Sequence, residues 1–221
     1  MHSWIDKDTE IYCSFAKDAG NTGCQMMNTA FYYHKLNKIY KSFSVSNIED
    51  AVNAVLSLGI KGFAITMPYK VEVLKYVHGM EDSVREIGAA NTVINTNGRL
   101  HAYNTDAYAA KKFLDNYDNR KPLVVLGDGG YAKAVLWAAR DRGFSVEQRT
   151  RSEHGIQLDL GMTRNSIVYS CIPQSYKGTL EQHTKSNEWI DCLVNTETGK
   201  QLATLQASKQ YELYTGLDFP L

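Results

Sequence analysis

The chain has no excess charge of either sign: 24 Lys and Arg are matched by 24 Asp and Glu, and no Lys/Arg block forms a basic arm. That balance gives no electrostatic case for nucleic acid, so the expected partner is a small molecule. No CxxC pair is present; Cys13, Cys24, Cys171 and Cys192 stand far apart, which predicts reduced thiols and neither a zinc site nor a redox motif. The six histidines, His2, His34, His78, His101, His154 and His183, lack metal-ligand spacing, so no metal is expected. No apolar run approaches the length of a membrane span, and the opening "MHSWIDKDTE" is polar where a signal peptide needs an apolar stretch. The expectation is a soluble cytoplasmic protein, free of membrane association. Repeats and low-complexity segments are also missing.

What is present is an alternation of β-rich and helix-periodic segments over 221 residues, enough for one large domain or two small ones. "EIYCSFA" (10–16) and "IYKSFSV" (39–45) bracket the helical pattern "QMMNTAFYYHKLN", a β-α-β unit. "NIEDAVNAVLSLG" then opens with Asn47, keeps Ile48, Ala51, Val52, Val55 and Leu56 on one face and closes with Gly59. That is a capped amphipathic helix leading into the strand "GFAIT". The alternation predicts an α/β architecture with a parallel sheet. "AANTVINTNGRLHAYNTDAY" reads as a hairpin, since Asn97-Gly98 suits a tight turn. After "DNRKP" a new strand, glycine turn, apolar helix and second strand follow in "LVVLGDGGYAKAVLWAARDRGFSVEQRTR", which places a domain boundary near residues 106–121. Strands over 166–172 and 189–195 and a closing helix ended by Gly216 complete the chain.

The glycine turn "GDGGYAKAV" follows an apolar strand and opens a helix, the setting in which such a turn holds a pyrophosphate. Gly127 permits the turn, Gly129 lets phosphate approach the backbone, and Gly130 follows at the helix start; Ala132 stands where GxGxxG has its last glycine, with Lys133 next. About twenty residues further on, where the ribose 2′ position is read, the sequence is "VEQRTR". Arg149 and Arg151 argue for NADP, while Glu147 is the competing NAD signal. Alternation alone does not decide which side chain faces the cofactor.

The strand "GFAIT" runs into Met67-Pro68-Tyr69-Lys70 and so delivers a lysine to the carboxyl end of the sheet, where open α/β sheets bind ligands. A lysine partly withdrawn from water there suits proton transfer. Taken singly, Lys70 also fits a solvated helix start and Asp106 an ordinary helix cap. With Asn91 at the start of the hairpin they make a polar cluster.

These residues carry a resemblance to the shikimate dehydrogenase family, above all its divergent shikimate dehydrogenase-like branch, over nearly the whole chain. "AITMPYK" is similar to the family's substrate-site strand with its catalytic lysine, "GAANTV" and "YNTDA" to its substrate-binding Asn and catalytic Asp motifs, and "LGDGGYAKAV" to its glycine-rich loop. "QRTR" stands where the family usually has Asn-Arg-Thr, and "LQASKQYELYTG" resembles its closing helix. The resemblance implies an N-terminal α/β substrate domain (1–106, with the closing helix 200–221 packing back on it) and a shortened Rossmann-like NADP-binding domain (107–199). It implies reversible hydride transfer between the nicotinamide and a ring hydroxyl of shikimate, quinate or a related cyclic hydroxy acid, with NADP as cofactor and NAD as the alternative. Lys70 and Asp106 would share proton transfer. Thr66, Asn91, Gln206 and Thr22 would hold substrate, and Gly127, Gly129, Gly130, Arg149, Thr150 and Arg151 would hold the cofactor, in a monomer or homodimer.

Two departures matter. The family's Ser-Lys-Ser-Pro stretch, which anchors the substrate carboxylate, corresponds to "AGNTGCQMMNTAF", with the two serines falling on Thr22 and Cys24 or on Asn21 and Gly23. Each lost hydroxyl removes a charge-assisted hydrogen bond of roughly 1.5 to 3 kcal/mol. The cofactor domain is also short: "YSCIPQ" replaces Asn-Ala-Thr-Ser, and no Gly-Met precedes the closing helix in "GKQLATLQ". A binding or regulatory module that keeps the fold with weak chemistry is therefore the rival expectation.

Overall fold

A computed structural model describes residues 5–150, 165–172 and 188–220. The chain divides into two compact units, residues 1–105 with 207–221, and residues 106–206.

The first unit is built on a six-stranded sheet. Its strands are β1 (Glu10–Ala16), β2 (Lys38–Ser44), β3 (Gly62–Ile65), β4 (Gly79–Met80), β5 (Thr92–Thr96) and β6 (Arg99–Tyr103), in the order β2-β1-β3-β5-β6-β4. β1 pairs in parallel with β2 and β3, but β5 runs antiparallel to β3, so the sheet is mixed rather than parallel as the alternation suggests. Asn97 and Gly98 both take positive φ (52° and 85°) and fold β5 back against β6 as the sequence predicts, and β5 enters beside β3 in the opposite direction, where the alternation predicts a parallel neighbour.

Helix α1 (Thr22–Tyr33) joins β1 to β2, and α2 (Ile48–Leu58) joins β2 to β3. α2 forms as its ends dictate: the Asn47 side chain accepts from the N–H groups of Glu49 and Asp50, and Gly59 closes the helix at φ 65°. Its apolar face, Ile48, Ala51, Val52 and Val55, is buried against Phe15, Phe63 and Ile65. A 3-10 turn (Glu72–Tyr76) and a short helix α3 (Asp82–Ile87) cover the same face. The opposite face packs Tyr12 and Tyr40 against Met27, Ala30 and Phe31 of α1 and against Ala207, Tyr211 and Tyr214 of the closing helix.

The second unit holds a four-stranded, all-parallel sheet, β7 (Leu123–Leu126), β8 (Val146–Arg149), β9 (Ile167–Ser170) and β10 (Glu188–Asp191), in the order β10-β9-β7-β8. β7 and β9 are buried along their whole length, as a strand covered on both faces must be. Helices α4 (Thr105–Leu114), α5 (Gly130–Asp141) and the first turns of α6 (Glu197–Thr215) supply Phe113, Leu114, Val135, Ala139 and Leu202 to one face. Val124, Leu126 and Val168 pack with Trp189 on the other. Among the described residues no helix is long and apolar enough to cross a membrane.

Candidate active site

In the first unit, parallel β2, β1 and β3 end on the same side of the sheet, and Thr66, Lys70 and Asn91 lie at that end of β3. Beyond β3, Thr66 N–H donates to Phe15 O at 3.0 Å and Tyr69 N–H to Thr66 O at 3.0 Å, which turns the chain through Met67 and Pro68. The Tyr69 hydroxyl pins this turn to Val45 O at 2.7 Å. Lys70, half-buried, accepts from Ala90 N–H at 2.8 Å through its own carbonyl, and Ile65 N–H donates to Asn91 O at 2.8 Å. Backbone bonds thus set Lys70 beside the segment that carries Asn91.

Asn91 is buried, and its carboxamide is busy within the protein. Its Oδ1 accepts from Thr105 N–H at 2.8 Å and from the Thr92 hydroxyl at 3.0 Å, and its Nδ2 donates to Thr105 Oγ1 at 2.9 Å. Thr92 Oγ1 in turn accepts from Gln210 Nε2 at 2.7 Å, with Gln210 itself buried. A chain of buried polar groups therefore runs from α6 to Thr105, the residue before Asp106. Such a network favours one geometry because breaking a link strands a buried group. Sequence reasoning missed Thr92, Thr105 and Gln210. Gln210 and Thr92 are 118 positions apart, and a neutral amide gives no local signal.

Thr22 is exposed at the start of α1, and the segment before it is tied to the same end of the sheet: Lys17 N–H donates to Met67 O at 3.3 Å and Ala19 N–H to Ser44 Oγ at 3.0 Å. Asn21 and Gly23 are exposed beside Thr22. Cys24 faces inward, its thiol 3.2 Å from Tyr40 O, with Asn28 bonding the same carbonyl.

In the second unit, the glycine turn lies at the carboxyl ends of β7, β8 and β9. Gly127 takes φ +116°, and a Cβ there would lie 3.3 Å from Cys171 O, so only glycine is comfortable. Its N–H donates to Arg149 O and its carbonyl accepts from Gln148 Nε2, each at 2.9 Å. Gly129 is extended at φ −69°, with open space where a Cβ would stand, and Gly130 begins α5, whose first turn carries no acidic residue. A turn that requires glycine at position 127, backbone open to approach at Gly129 and a helix start without a side-chain cap fit the pyrophosphate of a dinucleotide.

Arg149 and Glu147, expected as rival readers of the ribose, form one ion pair: Arg149 Nε lies 2.7 Å from Glu147 Oε1, with Arg149 nearly buried and Glu147 half exposed. Thr150 is buried. Arg151, also expected at the cofactor, lies outside the described residues. Asp106 is buried in the first turn of α4, and Gln206 is half-buried on α6. Tyr131 and Tyr169 share a hydroxyl hydrogen bond of 2.9 Å on the α5 face, and burial pushes both phenols well above their ordinary range.

The architecture defines a two-unit α/β protein, a mixed sheet carrying Lys70 and Asn91 and a Rossmann-like parallel sheet carrying a glycine turn. Residues 22–93 match the family model described as the shikimate dehydrogenase substrate binding domain. A shikimate dehydrogenase (NADP(+)) of Caldanaerobacter subterraneus subsp. tengcongensis is 35% identical over 200 residues, covering 87% of this chain and 69% of that one. The chain belongs to the shikimate dehydrogenase family. A shikimate dehydrogenase-like protein of Haemophilus influenzae is 38% identical over 142 residues, 63% of this chain and 52% of that one, so the match spans about half of that relative's length. A solved structure of a shikimate 5-dehydrogenase-like protein superposes with a TM-score of 0.84 at 28% identity, covering 99% of this chain and 95% of that one. The Thermus thermophilus shikimate 5-dehydrogenase in complex with NADP(H) and shikimate shares the fold, with a TM-score of 0.83 at 19% identity, covering 96% and 95%.

Proposed function

We propose that the chain is an NADP-linked oxidoreductase, with NAD as the alternative cofactor, that interconverts a ring hydroxyl and ketone on shikimate, quinate or a related cyclic hydroxy acid. The observation that carries this reading is the buried network around Asn91, which sits next to the Lys70 backbone and fixes Thr105 immediately before Asp106. In this reading the first unit is the substrate-binding unit and the second binds NADP through Gly127, Gly129 and Gly130. The bound cofactor supplies the hydride carrier. The chain's own residues manage the proton: in the oxidative direction the substrate hydroxyl gives up its proton to the Lys70 and Asp106 pair as its carbon loses hydride, and in reduction they return it. Thr66, Asn91 and Gln206 orient the ring, with Asn91 acting by its remaining amide hydrogen, and Thr22 binds the carboxylate. Arg149, Thr150 and Arg151 are assigned to the ribose end. The protein would act in the cytoplasm on a small molecule, as a monomer or homodimer without nucleic acid, within aromatic amino acid biosynthesis.

The test compares Lys70→Ala and Asp106→Asn with the parent for turnover and, by calorimetry, for substrate binding. Loss of a positioned proton donor should cost about 10²- to 10⁴-fold in kcat. Unchanged turnover in both variants refutes the assignment.

A second reading is favoured by one feature: Asn21, Thr22 and Gly23 offer a single side-chain hydroxyl where the family uses two serines. In that reading the protein is a binding or regulatory module, and it would bind a cyclic hydroxy acid without any cofactor-dependent turnover.

A further inference from the structure

We propose that Cys171 and Cys192 form a dithiol site at the carboxyl end of the second sheet that reacts with a small disulfide and closes to a reversible intramolecular disulfide, distorting the glycine turn beside it. The placement follows from strand register. β9 and β10 run in parallel with Ser170 opposite Asp191, and Cys192 N–H donates to Ser170 O at 3.2 Å, which continues the ladder. The next positions on the two strands, Cys171 and Cys192, therefore face each other.

Both side chains also emerge on one face. Ile167, Tyr169 and Ile190 lie in the core cluster beneath α5, and Cys171 packs against that cluster. Side chains alternate along a strand, so Cys192, two positions beyond Ile190, shares the face. The Tyr131 and Tyr169 phenols confirm the neighbourhood: after burial, both cysteine thiols are among the groups that hold their acidity down. Adjacent strands are about 4.8 Å apart, inside the Cα separation of roughly 4.4 to 6.8 Å that a disulfide bridges.

The other cysteines differ. Cys13 is buried, with its thiol pushed up by desolvation, and the half-buried Cys24 thiol is turned to Tyr40 O. Cys171 and Cys192 are each half-buried and form no disulfide in this structure.

The reaction balances with a low-molecular-weight disulfide such as oxidised glutathione as oxidant. One protein thiolate attacks a sulfur of the reagent, breaking its S–S bond and releasing one thiol. The second protein thiolate then attacks the protein sulfur of the mixed disulfide and releases the other thiol. Two electrons pass from the cysteine pair to the reagent, and the two cysteine protons leave on the released thiols. Closure draws the two Cβ atoms to about 3.8 Å. A Cβ on Gly127 would stand 3.3 Å from Cys171 O and 3.5 Å from Cys171 Cβ, so movement of Cys171 is felt directly by the turn.

The experiment exposes the full chain to oxidised glutathione and maps peptides without reduction, then measures hydrogen exchange over residues 127–131 in the oxidised and reduced forms. The expected result is a Cys171–Cys192 linkage, reversed by dithiothreitol, with at least several-fold faster exchange in the turn of the oxidised form. Cys192→Ser should instead trap glutathione on Cys171, and Cys24→Ser should leave the linkage intact. Separate glutathionylation of both cysteines, or no reaction at either, overturns the site; linkage with unchanged exchange overturns its coupling to the turn. Neither readout depends on dinucleotide binding, so it can fail or succeed apart from the oxidoreductase reading.

Discussion

Asn91→Ala is the perturbation whose cost the structure defines most closely. The substitution takes away the acceptor that Thr105 N–H reaches at 2.8 Å and that the Thr92 hydroxyl reaches at 3.0 Å. Both threonines are buried, so water does not replace the lost oxygen freely. A buried donor stripped of its acceptor costs about 1 to 3 kcal/mol, and a lost neutral hydrogen bond about 0.5 to 1.5 kcal/mol. The Thr92 hydroxyl has Thr105 Oγ1 3.4 Å away as a second acceptor, so the larger figure applies to the Thr105 N–H and the smaller to Thr92, a total of roughly 1.5 to 4.5 kcal/mol. Native-state hydrogen exchange of the β1, β3 and β5 amides reads this in the first unit alone, as protection lowered by roughly 10-fold to about 2,000-fold. If those amides lose less than about 0.5 kcal/mol of protection, comparable to an ordinary surface substitution, the network does not hold the Asp106 turn and the argument fails.

Four further outcomes follow from the second unit. Gly127→Ala should destabilise that unit by about 1 to 3 kcal/mol in thermal unfolding, because its φ of +116° and the nearby Cys171 carbonyl both oppose a side chain. Gly129→Ala, in open space at φ −69°, should leave unfolding unchanged yet weaken dinucleotide binding measured by fluorescence titration. Glu147→Gln removes the partner of Arg149, and the ratio of NADP to NAD affinity should rise; a fall would mean that the pair, rather than Arg149 alone, reads the ribose. Asp118, hydrogen-bonded by Arg120, is held down to about 2 and should titrate there by NMR. Its folded value lies below its unfolded one, so its stabilising contribution is present above about pH 3.8 and is lost as pH falls through about 2. Asp118 is solvent-facing, so Asp118→Asn should abolish that titration with little effect on unfolding at neutral pH.

Local signals were legible where one residue type has one physical use. Asn47 and Gly59 marked the ends of α2, and Asn97-Gly98 marked the hairpin, because side-chain capping and positive φ leave few substitutes. Gly127 was legible for the same reason. The two-residue strand β4 was not, since Gly79–Met80 is too short to show any period and exists through its pairing with β6. Nor was the antiparallel entry of β5 beside β3, which depends on how the hairpin docks. In the site, Lys70 and Asn91 could be named from their motifs, whereas the Thr92, Thr105 and Gln210 links depend on tertiary contact. The Arg149–Glu147 pair lay half in view: residues two apart on a strand share a face, but their approach to 2.7 Å is set by the fold.

The central claim is tested most directly by absorbance at the reduced-nicotinamide band with shikimate or quinate and NADP or NAD, in all four combinations. The account predicts a cofactor-selective signal, strongest with NADP, that falls at least about 100-fold in Lys70→Ala. Silence in all four combinations, from protein that binds shikimate or quinate in calorimetry, would contradict it and establish the binding module instead.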